Sequence, residues 1–305
     1  MDMDLRDLAY FETIAELGHL GQAAQKLNRS QPALTKSIQR LEESLGTRLF
    51  ERDGRRIKLT PVGELLKVRG KQLQQNIADT RREVRDFASG VMGNIRLGCS
   101  ASMADHLLPH LTATLLSHAP EITLNLVIGQ DDFLHESLCS GRLDMVICSK
   151  YETGPLLESH ALFDAEAVVV ASHEHPLFNT RYQLRDLCQY RWVLPATSVS
   201  VRRWIDNAFQ ERNLPLPQVQ IETTSTSLLP RLVGATNLLC FLPRETLEDV
   251  EGVTHLREVM LKETTMKRTI VVLTRRNAYL SPAAQMLLGI LKVEGAQLFN
   301  GRQVV

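Results

Sequence analysis

Apolar positions along the chain change period twice, which separates three stretches. In the first, Leu5, Leu8, Phe11, Ile14, Ala15 and Leu17 recur at helical spacing, and Gly18 offers a left-handed stop. Residues 21–27 predict a second helix with Ala23, Ala24 and Leu27 inward; paired alanines suit a close helix crossing. Asn28 and Arg29 turn the chain. Ser30 is placed as an N-cap, and Pro32 falls in the first turn, where a missing N–H costs nothing. Leu34, Ile38, Leu41 and Leu45 then form the apolar stripe of a third helix. Leu49-Phe50 and Ile57-Lys58-Leu59 flank an Asp53-Gly54 pair, which signals a hairpin.

The second stretch opens at Thr60-Pro61 and predicts a long polar helix to about Ala88. Leu66, Gly70, Leu73, Ile77, Thr80, Val84 and Phe87 alternate at spacings of four and three, a heptad seam expected to pair with a second copy of the chain. Arg69, Lys71, Gln74, Gln75, Arg81 and Arg82 occupy the wet face, and residues 90–93 form a junction.

Beyond Gly93, short strands alternate with helices, the mark of an α/β domain with parallel sheets. Strands are expected over 95–98, 123–128, 145–147, 167–171, 193–194, 239–242 and 270–274. Helices are expected over 103–116, 133–139, 200–211, 227–234, 243–250 and 282–291.

Composition adjusts this picture in a few places. A length of 305 residues favours two or three domains over one core. The 35 basic and 35 acidic residues balance, so the distribution of charge says more than its sum. Between Lys26 and Lys58, nine basic residues face four acidic ones, enough local excess to neutralise phosphates. Five widely spaced cysteines without a CxxC argue against a disulfide scaffold or structural zinc. Acids near the N-terminus do not suit a signal peptide, and no apolar run approaches the ~18 residues of a membrane span, so a cytoplasmic protein without membrane partners is expected.

The chemistry follows from these placements. Gln31, Thr35, Lys36 and Gln39 point outward near the start of the third helix, where the second helix of a helix-turn-helix meets base edges. Glutamine pairs with adenine, lysine with guanine, and threonine touches a thymine methyl. With Ser30, Pro32 and Arg40 they make the candidate DNA surface, and Arg52, Arg55 and Arg56 at the hairpin tip add contacts to phosphates or a narrow minor groove. In the third stretch, Cys99-Ser100-Ala101-Ser102 and Thr197-Ser198-Val199-Ser200 each sit between a strand and a helix, with Arg202 and Arg203 one turn further on. Hydroxyls and free N–H groups at helix starts suit a carboxylate or another anion. Gly129-Gln130-Asp131-Asp132 and Thr224-Ser225-Thr226-Ser227 supply two more such loops.

Phe11, Ala23-Ala24, Leu27, Ser30-Gln31-Pro32-Ala33-Leu34, Ile38, Leu41-Glu42, Leu45-Gly46, Leu49-Phe50, Arg52, Leu59-Thr60 and Gly63 together resemble the pattern of LysR-type transcriptional regulators, and the resemblance spans the whole chain. It implies an α/β protein with a winged helix-turn-helix over 1–60, a dimerising linker helix over 61–92, and a two-lobed effector domain akin to periplasmic binding proteins over 93–305. Lobe I would comprise 93–163 and 268–305, and lobe II 164–267, with crossings near Phe163-Asp164 and at 265–268. The resemblance implies a homodimer or homotetramer on double-stranded promoter DNA, with RNA polymerase as a further partner and a small-molecule effector, such as a carboxylate, between the lobes. No cofactor is implied. Matched to the family pattern, Ser102, Gln130, Ser200 and Thr224 would be the leading contacts to that effector, with Ser100 and Ser198 beside them in the same hydroxyl-bearing loops.

Two departures stand out. His19-Leu20 replaces the family's usual Ser-Phe, and Thr236 and Leu238 replace glycines ahead of Leu242-Pro243, which makes one cleft wall bulkier. Three other functions compete, of which a simple small-molecule binding protein fits the third stretch but has no use for the first ninety residues. An enzyme finds no support, since HExxH, GxSxG and P-loop patterns are missing from the sequence. A thiol-sensing regulator would use Cys139 and Cys148, although cysteine is commonly a small buried apolar residue.

Overall fold

Caps and apolar spacing act together in the N-terminal helices. In the computed structural model, which describes residues 4–53, 56–89, 93–197, 199–223, 225–247 and 256–300 (backbone only at 52, 53, 56, 89 and 200), α1 (Leu5–Leu17) is capped by Asp4 and closed by Gly18 at φ 61°. α2 (Leu20–Lys26) takes its cap from the departure itself: His19 Nδ1 accepts the N–H groups of Gly21 at 3.1 Å and Gln22 at 3.4 Å. The imidazole thus does what a serine hydroxyl would do, and Leu20 packs half-buried against the local core. Asn28 turns the chain at φ 51°. Ser30 Oγ accepts from Ala33 N at 3.4 Å to start α3 (Gln31–Leu45), and Gly46 ends it at φ 67°.

Leu8, Phe11, Ile14, Ala23, Ala24, Leu34, Ile38, Leu41 and Leu49 form one buried cluster. Leu45 is not part of it. At 41% exposed, it shows that the apolar stripe ends one turn before the helix does. The buried position that the pattern hides is Ser37, whose hydroxyl donates to Asp7 Oδ1 at 2.6 Å. Arg40 grips the same carboxylate through Nη2 at 2.6 Å and Nε at 3.2 Å. Burial alone would raise the Asp7 carboxyl, but the hydrogen bonds from Arg40 and Ser37 outweigh it and hold it below the ordinary range. A depressed carboxyl stabilises the fold above its unfolded value and loses that contribution as pH falls through the folded one. Asp7→Asn is therefore expected to cost about 2 kcal/mol at neutral pH, with the gap to the parent closing below about pH 4. Denaturant melts of the full chain at pH 7 and pH 3 check this; a gap unchanged at pH 3 would refute the ionic assignment.

The hairpin pairs β1 (Phe50–Asp53) with β2 (Arg56–Leu59), setting Phe50 opposite Leu59 and Asp53 opposite Arg56. The linker helix α4 (Pro61–Ser89) follows. Its seam is divided: Leu66 and Leu73 pack on the cluster of α1–α3, and Gly70 lies against Leu8 and Glu12. Val62, Leu65, Val68, Val84 and Phe87 are exposed instead. The chain divides into two units, Met1–Arg82 and Glu83–Val305, the boundary falling within α4.

The second unit runs β3 (Asn94–Ser100), α5 (Ala101–His118), β4 (Thr123–Gly129), α6 (Asp131–Cys139), β5 (Met145–Ser149) and β6 (Leu157–Ser172). It continues with β7 (Arg191–Leu194), α7 (Ser200–Gln210), β8 (Gln218–Glu222), α8 (Leu229–Gly234), β9 (Leu238–Pro243), β10 (Leu256–Glu258), β11 (Met266–Arg275) and α9 (Pro282–Phe299). The strands lie in the order β4-β3-β5-β11-β6-β9-β7-β8, with β10 beside β6. β3 is parallel to β4 and β5, and β7 to β8 and β9, so each end of the sheet is parallel. The antiparallel β6–β11 pair joins the two ends, with a register shift between Ile270 and Val271.

Burial divides at that pair. Ala165 and Ile270 belong to the cluster built on α5 and α9, whereas Ala167 and Met266 belong to the one around Trp192 and Phe209. The strand expected over 167–171 is the inner end of the 16-residue β6, whose first half carries Glu158, His160 and Asp164 and so does not read as buried. The helix expected over 243–250 is a 3-10 turn at Arg244–Leu247, with 248–250 outside the described residues. The helix expected over 227–234 splits into a 3-10 turn, Thr226–Leu228, and the short α8, where Pro230 fits only a first turn. No helix among the described residues is long and apolar enough to cross a membrane.

Candidate functional sites

On the first unit, α3 presents one polar face. Gln31, Pro32, Thr35, Lys36, Gln39 and Arg40 are exposed, while Leu34, Ser37 and Ile38 between them are buried. Thr35 Oγ1 donates to the Gln31 carbonyl at 3.1 Å, which engages its proton and leaves its lone pairs available. Ser30 is engaged as the cap. Arg40 differs from its neighbours, because Asp7 holds its Nε and Nη2 and fixes the guanidinium on α1. The hairpin places residues 52 and 56 next to the turn; the side chains of Arg52 and Arg56, and all of Arg55, lie outside the described residues.

In the second unit, a cleft opens where the β6–β11 pair passes between the two parallel sheet ends. It encloses roughly 740 Å³ of empty space, part of it open to solvent. Ser100 and Ser102 reach it from the β3–α5 junction and Gln130 from the start of α6. Ser198 and Thr224 lie outside the described residues, as does the side chain of Ser200; Val199, Val201 and Thr226 line that side. Thr226 Oγ1 donates across the cleft to the Ala101 carbonyl at 3.1 Å.

The sequence reading misses the residue that dominates this cleft. Arg268 on β11 is 6% exposed, and its Nη1 donates to Ser102 Oγ at 3.2 Å and Ser149 Oγ at 3.5 Å. Its Nε and Nη2 have no partner, and neither has the buried Ser100 Oγ. Burial pulls the guanidinium down to about 10, against the attraction of Glu245 and Asp131, so it stays charged at neutral pH. The signal was present: Arg268 shares its strand face with Ile270 and Val272, and a basic residue at an inward position of a buried strand is rare. Arg202 lies outside the cleft lining, because it is tied to Asp206 at 2.9 Å and to the Pro195 carbonyl at 3.2 Å.

The thiols are poorly placed for oxidant chemistry. Burial pushes Cys99, Cys148 and Cys240 up, and Cys139, whose Sγ lies 3.8 Å from His135 Nε2, is raised by burial too despite nearby Arg275. Among the described residues, no cluster of three His, Cys, Asp or Glu could hold a metal ion.

Fold and sites together define a two-part DNA-binding regulator: a winged helix-turn-helix unit, and an α/β unit with a ligand cleft. Residues 5–64 match the family described as bacterial regulatory helix-turn-helix protein, lysR family, and residues 88–295 match the LysR substrate binding domain. The chain belongs to the LysR family of transcriptional regulators. Among curated relatives, the HTH-type transcriptional regulator CbbR of Xanthobacter flavus is 26% identical, covering 96% of this chain and 88% of that protein. The SDS degradation transcriptional activation protein of a Pseudomonas species is 28% identical, covering 96% and 97%. Full-length CbnR complexed with target DNA shares the fold at a TM-score of 0.58 and 20% identity, over 95% of this chain and 99% of that one.

Proposed function

We propose that this chain is a cytoplasmic, sequence-specific regulator that binds double-stranded promoter DNA as a dimer or tetramer and responds to a small organic anion held between its lobes. One observation carries the ligand half of this reading: a charged, nine-tenths buried arginine lines the cleft, and two of its donors have no hydrogen-bond partner. Such a cation is unfavourable until an anion joins it. Ser102 stands beside Arg268, and Ser100 and Gln130 line the same cleft; Ser198, Ser200 and Thr224 are further contacts on the sequence pattern alone.

The DNA half rests on the exposed face of α3. Gln31, Thr35, Lys36 and Gln39 read base edges, and Arg52, Arg55 and Arg56 hold the backbone. Arg40 acts mainly through Asp7, by fixing α3 on α1. The exposed Val62, Leu65, Val68, Val84 and Phe87 of α4 offer a second copy an apolar surface. Effector binding shifts the lobes by favouring one arrangement over another. That shift changes how paired DNA-binding units bend the promoter, and RNA polymerase reads the outcome. The thiol-sensing alternative gains nothing from the buried, raised cysteines, and no catalytic role is assigned to any residue.

Lys36→Ala tests the base-reading half. It is expected to weaken operator binding by about tenfold while changing non-specific binding less than about threefold. Equal losses on both DNAs, measured by titration at fixed salt, would make Lys36 a phosphate contact and overturn its role as a reader.

A further inference from the structure

The cleft is polar at one end and apolar at the other. Arg268, Ser102 and Ser149 form the polar end, with Asp131 close by. From the other lobe come Val199, Leu229 and Phe241, and Phe241 is backed by Trp204 in a parallel stack at 5.5 Å, which makes that wall stiff. Among the described lining residues, Arg268 is the only cation and Asp131 the only anion.

The geometry of the unpartnered nitrogens is specific. Nε and Nη2 are the two that lie on one edge of a guanidinium and grip both oxygens of a carboxylate. Among the described residues that edge is used by Arg40 on Asp7, Arg96 on Asp144 and Arg244 on Glu258. In Arg268 the same edge is held in place by the bonds of Nη1 to two serines and has no hydrogen-bond partner; Glu245, which shares a second cavity with Arg268, attracts it by charge without a bond to that edge.

Resting on the reading of the cleft as the effector site, we propose that the effector is an amphipathic monocarboxylate. Its carboxylate sits side-on against Nε and Nη2 of Arg268, and an apolar body about the size of one ring lies against Phe241, Leu229 and Val199. A second carboxylate on the ligand would be buried against the apolar wall or set beside Asp131, with no cation to meet it. A neutral isostere would leave the guanidinium as it is in the free protein.

Calorimetric titration of the full chain with benzoate, hexanoate, phthalate and benzamide tests this. Benzoate and hexanoate are expected to bind, phthalate and benzamide at least about tenfold more weakly, and Arg268→Met to weaken benzoate by roughly 100-fold. Without ligand, Arg268→Met leaves Glu245 and Asp131 without the cation they attract, so Tm is expected to fall by about 2–4 °C with the fold intact. Arg268→Lys keeps the charge but loses the edge, and it is expected to bind benzoate more weakly with the fold intact.

Phthalate or benzamide binding as tightly as benzoate, benzoate binding unchanged in Arg268→Met, or no monocarboxylate of the set binding at 10 mM would each overturn the monocarboxylate assignment. If a different class of ligand then alters operator binding, the effector reading survives without it. If benzoate binds through Arg268 and no ligand alters operator binding, the ligand class stands and the effector reading falls.

Discussion

Gly63→Ala is expected to disable the N-terminal unit, with a loss of about 3 kcal/mol or more and no operator binding at concentrations where the parent binds fully. A methyl group at Gly63 would overlap the Leu49 carbonyl oxygen and press on the Leu59 side chain. The carbonyl cannot retreat, because Thr60 N donates to it at 2.9 Å while Thr60 Oγ1 donates to Arg48 O at 2.8 Å and accepts from Gly63 N at 3.0 Å. The first turn of α4 is thus pinned to the chain entering the hairpin. Gly70→Ala is the control on the same helix: the atoms it would meet are the ends of the Glu12 and Leu8 side chains, which adjust more readily than a hydrogen-bonded carbonyl. Its cost should stay near 1 kcal/mol. Denaturant titration of the two variants checks the contrast, and a parent-like midpoint for Gly63→Ala would show that this close approach is not maintained in solution.

The second large effect is expected at Asp144, in the other unit. Its carboxylate is almost fully buried and accepts from Arg96 three times: backbone N at 2.9 Å, Nη2 at 2.5 Å and Nε at 3.4 Å. The Asp144 N–H returns a bond to Arg96 O at 2.8 Å, which ties β3 to the turn before β5. Arg96 is 28% exposed, so water can partly solvate it once Asp144 is gone. Asp144→Ala should therefore cost about 3 kcal/mol, the lower end for a broken buried pair, and Asp144→Asn less, since an amide can still accept one of the bonds. The two units have separate cores, so the loss should appear in the transition of the second unit and leave that of the first unchanged. A loss under about 1 kcal/mol would show the pair to be solvated in solution.

Much of the fold was legible because local and long-range requirements agree. Ser30, Gly18 and Gly46 act as caps and stops in the places where the apolar spacing ends. The exposed polar face of α3 follows directly, since period 3.6 separates Gln31, Thr35, Lys36 and Gln39 from Leu34, Ile38 and Leu41. What the pattern hid were polar groups with distant partners. Ser37 is buried only because Asp7, thirty residues away, meets it. His19 caps a helix by a ring nitrogen rather than a hydroxyl, so the local code does not announce it. The heptad of α4 does not say whether Leu66 and Leu73 meet a partner helix or their own unit, and both pack on the cluster of their own unit. The cleft was half-legible: Ser100, Ser102 and Gln130 mark helix starts, whereas Arg268 stands in a strand and becomes meaningful only once β11 is seen to pass between the lobes.

The central claim is that an anion on Arg268 changes how this protein holds DNA. The direct measurement is a footprint on an operator selected with the full chain, taken with and without the organic acid that gives the largest thermal shift. For the parent, the acid is expected to change the length of the protected region or its pattern of bend-dependent cleavage. Arg268→Met should give the ligand-free footprint under both conditions. An unchanged parent footprint at saturating acid, or the same change in Arg268→Met, would contradict the claim.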